Sequence, residues 1–219
     1  MTNSREHILA RIRKSLHRGK LTAVDENKLE KEMQKHLPST LPKHSISTKE
    51  ELTQLFIDKA TQSLAKIIAI ESFLSAPSVI DNILKKEKLP LQIRMENDPL
   101  LSTLSWSQIE IKKGRAMESD KASLTHSFCG VAETGTLVLL SSEQSPTTLN
   151  FLPEIHIVLL SLNKIVGYYE NAWDLIRAEK NMPRTVNFIT GPSRTADIEQ
   201  TVQIGIHGPK QLYILLYEE

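Results

Sequence analysis

The stretch "ITGPSRTADIE", residues 189–199, places two hydroxyl residues around an arginine, with two acids close behind. Thr190, Gly191, Ser193, Arg194, Thr195, Asp197 and Glu199 all follow the apolar run of residues 186–189. A strand, a tight Gly-Pro turn and then short polar side chains have the form of a loop at the carboxyl end of a strand. That is where open α/β sheets hold their ligands. If a helix begins next, Asp197 is its natural N-cap, with Gln200 at the capping-box position. Free backbone N–H groups together with the fork of the Arg194 guanidinium would then bind a carboxylate or a phosphate. The other reading is a capped connection in which Arg194 pairs with Asp197 or Glu199.

A second constellation, "GVAETGTLVLLSS", sets Glu133, Thr134, Gly135 and Thr136 directly before an apolar strand. A carboxylate there acts as a general base or hydrogen-bond acceptor if its surroundings shift its pKa. Otherwise it ends a strand and bonds the neighbouring backbone. His156 and His207 lie at strand edges, where a histidine is commonly a structural residue. His126 stands near Cys129, a spacing that allows an activated thiolate but equally a simply buried cysteine. Six of the eight glycines lie between residues 130 and 208, so close backbone approaches concentrate in the same half. The chain has no C-x-x-C, G-x-G-x-x-G, G-x-x-x-x-G-K-[ST], H-E-x-x-H or G-x-S-x-G motif. A complete redox centre is therefore not encoded here, and no metal site or resident cofactor is expected.

The elements that must position these residues follow from periodicity. Residues 4–17 read as an amphipathic helix with Ile8, Ile12 and Leu16 on one stripe, stopped near Gly19. Lys28 to His36 is a second helical stretch, followed by a proline-containing linker to residue 47. Thr48 to Glu51 is a capping box opening a helix with Leu52, Leu55 and Phe56 on its apolar face. Strands are expected at "AKIIAIE", "LQIRME" and "QIEIKKG", a helix at "SVIDNILKKEKLP", and an irregular or helical turn at "DPLLSTLSW". Beyond residue 130, "GTLVLLSS", "HIVLLSL", "NFITG" and "LYILLYE" are strands, with a helix at "YENAWDLIRAEK". Three of these strands are nearly continuous apolar runs, which suits a parallel sheet covered on both faces. The expected fold class is α/β, layered on a mostly parallel sheet, with an N-terminal helical arm: arm and linker at 1–47, the α/β domain at 48–219.

Charge and composition narrow the function classes. Residues 1–20 hold six Lys/Arg against Glu6, while the whole chain is only +1, so the body is mildly acidic and the arm basic. A nucleic-acid partner is not expected, because it calls for a basic face on the folded body. The single cysteine fits a reducing compartment, and no apolar run approaches the roughly 20 residues of a membrane span. The first residues lack the apolar core of a secretory signal, which makes the cytoplasm the expected location. The arm could dock on an acidic partner or a second copy, or touch anionic lipid at the membrane periphery.

Two blocks, "GVAETGTLVLLSS…LNFLPEIHIVLL" and "ITGPSRTADIEQTVQIGIHGPKQLYILL", closely resemble the lactate-utilisation protein C family of LUD-domain proteins. The likeness runs from about residue 48 to the C-terminus. It implies a fold similar to the sugar-phosphate isomerase and CoA-transferase group, and a role in bacterial oxidation of L-lactate to pyruvate beside two partner proteins. One of those partners carries iron–sulfur clusters. Carried over by motif, the positions of interest are Glu133, Thr134, Gly135, Thr136, Pro153, His156, Gly191, Pro192, Ser193, Arg194, Thr195, Asp197, Glu199, His207 and Gly208. "LTHSFCG" departs from many relatives in placing a histidine at 126.

Three functions stay open. In the first, the chain is a non-redox subunit that holds lactate or pyruvate, with Glu133 or His156 accepting the hydroxyl proton. In the second, it is a stand-alone isomerase or acyl-transfer enzyme using Glu133 as base or nucleophile. In the third, it is a non-catalytic assembly protein.

Overall fold

The computed structural model describes residues 4–19, 21–35, 48–196 and 202–218. It divides into two compact units, Met1–Leu41 and Pro42–Glu219. The first contains α1 (Ser4–Ser15) and α2 (Ala23–Lys35), neither of which buries a residue. The stripe of Ile8, Ile12 and Leu16 is 57%, 48% and 58% exposed, so the apolar face of α1 has no cover within the described residues. The second helix begins earlier than Lys28, because Thr22 Oγ1 accepts from the N–H of Asp25 and caps it.

The second unit opens with α3 (Lys49–Gln62), whose capping box joins Thr48 and Glu51 in both directions. Six parallel strands form its main sheet: β1 (Lys66–Ala69), β2 (Gln92–Met95), β3 (Glu110–Lys113), β4 (Ala122–His126), β7 (Ile155–Ser161) and β12 (Gln211–Tyr217). Their spatial order is β1-β12-β7-β4-β2-β3. A second sheet, β8-β5-β6-β9, comprises β5 (Cys129–Val131), β6 (Thr136–Leu140), β8 (Ile165–Val166) and β9 (Val186–Ile189). In it β6 runs antiparallel to both β5 and β9. A separate antiparallel pair joins β10 (Arg194–Ala196) to β11 (Val202–Ile204). The remaining helices are α4 (Ala76–Lys86), the single turn α5 (Thr148–Phe151) and α6 (Tyr169–Ala178).

Alternation along the two central strands builds the layers. Ile155, Ile157 and Leu159 of β7, with Tyr213, Leu215 and Tyr217 of β12, pack with Ile80, Ile83 and Leu84 of α4. Val158, Leu160, Leu212, Ile214 and Leu216 face the other way, onto Phe56 and Ala60 of α3 and Leu137 and Leu139 of β6. The opposite face of the second sheet, with Cys129, Val131 and Val138, packs on Ala172 and Ile176 of α6.

Two expectations need correction. "GTLVLLSS" is an apolar run, yet β6 lies in the antiparallel sheet; sandwiched between the main sheet and α6, it is buried on both faces whatever its direction. No helix follows the Gly-Pro turn directly, because residues 194–196 extend as a strand paired to β11. Asp197, Glu199 and Gln200 lie outside the described residues.

Candidate functional site

His156 is the second residue of β7, and strand alternation turns it toward the second sheet, in register with Leu212 on one side and Ser123 on the other. It is fully buried. Its Nε2 lies 2.8 Å from Thr125 Oγ1. Among the described residues its Nδ1 has no hydrogen-bond partner. Burial lowers its pKa from 6.5 to about 3, so the ring is neutral across the physiological range.

The short helix α5 covers the same face, held where Ser123 Oγ donates to the Leu149 carbonyl at 2.6 Å. This presents Asn150, 4% exposed, whose Oδ1 also lacks a partner among the described residues. Unsatisfied polar atoms at such depth are uncommon, because each costs about 1–3 kcal/mol when nothing bonds it. Here two of them border one cavity of about 280 Å³.

The rest of its wall comes from segments far apart in sequence. Phe188 and Ile189 of β9 lead into Thr190, Gly191, Ser193 and Arg194, and His207, Gly208 and Pro209 close the other side. The two segments are joined by Ser193 N–H to the Pro209 carbonyl and Gly205 N–H to the Ser193 carbonyl, each 2.9 Å. Below them, Lys210 N–H donates to the Glu154 carbonyl at 2.8 Å. The Glu154 carboxylate bonds both Lys121 and Lys210, which hold it below the usual range. This clamp ties the start of β12 to the start of β7.

The arginine loop does sit at the carboxyl end of a strand, as its sequence suggests. That strand is β9, however, a member of the second sheet, and the loop lands at the amino ends of β7 and β12. The correction is topological: strand direction in one sheet says nothing about the ends of the other.

The structure brings His156, Gly191, Ser193, Arg194 and His207 around one cavity and adds Asn150, which carries no recognisable sequence signal. Arg194 and His207 are exposed at its mouth. Among the described residues Arg194 has no ion pair. Thr195 pairs with Gln203 in the β10–β11 ladder and does not line the cavity. Pro192 is buried beside Gly191, and Pro153 is buried ahead of β7.

Glu133 lies in the turn between β5 and β6, its N–H bonded to the Gly167 carbonyl at 3.1 Å, outside the cavity lining. Thr134 and Thr136 join the Tyr169 hydroxyl in a cluster that reaches Thr190 through Thr136, at 2.5 Å. Among the described residues that turn connects to the pocket through Thr190.

Gly135 and Gly191 have a packing reason of their own. Both have positive φ, and an added Cβ would lie 2.2 Å from Ala60 N and 2.0 Å from Ser63 O respectively. The C-terminal end of α3 therefore rests directly on these two turns.

Cys129 is fully buried, and burial pushes its thiol up to about 12, so it is not an activated nucleophile. His126 Nε2 instead meets the Tyr217 hydroxyl at 2.8 Å. Among the described residues no group of three or more His, Cys, Asp or Glu could hold a metal ion, and no helix is long and apolar enough to cross a membrane.

A parallel sheet, a stacked and largely antiparallel second sheet, and a polar cavity between them define an α/β protein of layered type. The LUD domain family model matches residues 30–217, and the chain belongs to that family. Lactate utilization protein C of Bacillus subtilis is 30% identical over 233 residues, which cover 97% of this chain and 96% of that protein. Lactate utilization protein C of Anoxybacillus flavithermus is 41% identical over 102 residues, 46% of each chain. An uncharacterized protein of Neisseria meningitidis serogroup B is 38% identical over 109 residues, so these two matches span about half the length of those relatives. A DUF162 family protein from Deinococcus radiodurans shares the fold, with a TM-score of 0.62 over 78% of this chain and 99% of its own, at 16% identity.

Proposed function

We propose that this chain is the ligand-holding, non-redox subunit of a bacterial system that oxidises L-lactate to pyruvate, and that the ligand sits in the His156 cavity. The observation that carries the reading is the pair of buried, unpartnered polar atoms, His156 Nδ1 and Asn150 Oδ1, bordering one small cavity with Arg194 at its mouth. A 2-hydroxy acid offers the matching groups: a carboxylate for the guanidinium and hydroxyl hydrogen-bonding capacity for the imidazole and the carboxamide. The names of the similar Bacillus and Anoxybacillus proteins support the pathway.

Oxidising lactate takes the C2 hydrogen with its electron pair, as a hydride, to an acceptor outside this chain, and releases the hydroxyl hydrogen as a proton. His156 Nδ1, in the tautomer whose Nε2–H donates to Thr125, accepts the hydroxyl proton. An adjoining carboxylate raises the low pKa of the ring and makes it a better base. The electrons pass to an iron–sulfur partner, because one cysteine in 219 residues cannot supply the thiolates of a cluster.

Calorimetric titration of the purified chain with L-lactate and pyruvate tests the site. Binding that is lost in Asn150→Ala and weakened about tenfold in Arg194→Gln is the expected result, from the loss of one charge-assisted pair. Undiminished binding in both variants would remove the pocket assignment. Lactate oxidation by the isolated chain with an artificial electron acceptor would remove the subunit assignment.

A further inference from the structure

A larger concavity that the lactate reading does not use opens where β3, the edge strand of the parallel sheet, ends. Gly114 directly follows β3, and Ser141 directly follows β6; between them opens a cleft of about 630 Å³ bordered by Arg115 and Arg184. Both arginines stand on backbone that is pinned. Gly114 N–H donates to the Met95 carbonyl at 3.0 Å and Ala116 N–H to Thr148 Oγ1 at 3.1 Å, one residue to either side of Arg115. Next to Arg184, Thr185 N–H donates to Ser141 Oγ at 2.9 Å, and Ser141 N–H to the Thr185 carbonyl at 3.0 Å. The turn that forms the rim is closed by Ser142 Oγ, which accepts from the N–H groups of Gln144 and Ser145.

The two guanidinium groups differ in ion pairing from those of other arginines of the unit. Arg94 and Arg177 in the same unit pair with Asp120 and Asp174 at 2.8 and 2.6 Å. Among the described residues Arg115 and Arg184 have no ion pair. Glu143 is the one acid in the lining, so two arginines brought together from positions 69 residues apart leave net positive charge in a concave site. A concave surface of one sign focuses its field on a counter-ion. The hydroxyls of Thr147 and Thr148 add short polar groups, and no aromatic residue lines the cleft to stack a base.

We propose that this cleft binds a phosphomonoester, its dianion forked by Arg115 and Arg184 beside the carboxyl end of the edge strand β3. Dianionic charge matches two guanidinium groups better than the single charge of lactate does. The lack of a stacking surface selects a phosphate on a small polar skeleton over a nucleotide.

The test is titration of the full chain with glycerol 3-phosphate in a phosphate-free buffer at constant ionic strength, with glycerol and L-lactate as controls. Glycerol 3-phosphate binds, glycerol does not, and each of Arg115→Gln and Arg184→Gln weakens binding about tenfold, equivalent to the loss of one charge-assisted bond. Arg194→Gln, at the mouth of the other cavity and on no element that lines this cleft, leaves phosphate binding unchanged, so the two assignments fail or stand separately. Absence of glycerol 3-phosphate binding to the wild-type chain overturns the proposal, as does equal binding by the Arg184→Gln variant. Circular dichroism confirms the fold of each variant, and Arg115→Gln replaces Arg184→Gln if the latter does not fold.

Discussion

The two ends of the parallel sheet bury their titratable groups in opposite ways. At the amino end, His156 is enclosed by α5 and the β9–β10 loop, and burial removes its charge by pulling its pKa down to about 3. At the carboxyl end, Glu96 follows β2, is 3% exposed, and burial disfavours its charge by pushing its pKa up to about 7. Hydrogen bonds from the Ser145 side chain and the His126 N–H oppose that rise but do not cancel it. Desolvation disfavours whichever form carries charge, so one physical cause moves a base down and an acid up. The small amino-end cavity is thus lined by neutral buried groups and meets charge only at its mouth. The carboxyl-end cleft has exposed charge, and Glu96 sits beneath its rim through Ser145.

The contrast can be broken most forcefully with pH. The unfolded chain protonates His156 near 6.5 and the folded chain only near 3, so its contribution to stability is fully present above pH 6.5 and is lost as pH falls toward 3. A depression of that size corresponds to roughly 4–5 kcal/mol across the window. Urea denaturation of wild-type and His156→Gln proteins from pH 7.5 to 4 is expected to show a difference that shrinks steadily as acid is added. A constant difference would mean that the ring ionises freely in the fold.

Glu96 gives the next largest effect, with opposite slope. Its folded pKa is raised from 4.5 to about 7, so the stability linked to it is fully present below pH 4.5 and is lost as pH rises through 7. The span is about 3 kcal/mol. Glu96→Gln is expected to flatten that limb between pH 4.5 and 8 in the same denaturation series, leaving the His156 limb intact.

A smaller effect sharpens the distinction between ligand residues and framework residues around the amino-end cavity. Gly191→Ala is expected to destabilise the fold by about 2–3 kcal/mol, because the position needs positive φ and the new methyl meets the Ser63 carbonyl. Thermal melting checks this. A variant as stable as wild type would show that α3 can withdraw from the turn.

The helices and strands were legible where a strong local pattern existed. The capping box at Thr48 and Glu51, the apolar face of α4 and the unbroken runs of β7 and β12 all form as their sequences suggest. β4 was not legible, although it is central in the sheet, because Ser123 and Thr125 interrupt its apolar pattern. Their hydroxyls are satisfied only by Leu149 and His156, from chain more than 20 residues away.

For the candidate site, Ser193, Arg194 and His156 were readable as polar residues in unusual surroundings. Asn150 was not, since one asparagine in "TTLNF" looks like any surface residue until α5 folds over β7. Arg115 and Arg184 were equally silent, because convergence of distant loops leaves no mark at short range.

The sequence by itself determined the buried runs of β6, β7 and β12, the capping box that opens α3, and that one cysteine cannot hold a cluster. Those properties depend on local periodicity, backbone conformation and composition. Only the tertiary structure decided that the apolar run of β6 belongs to a second sheet, and that the arginine loop faces the amino ends of β7 and β12. A hydrophobic pattern records that a strand is covered, not which neighbour covers it or in which direction that neighbour runs. The location of the His156 cavity depends on that missing information.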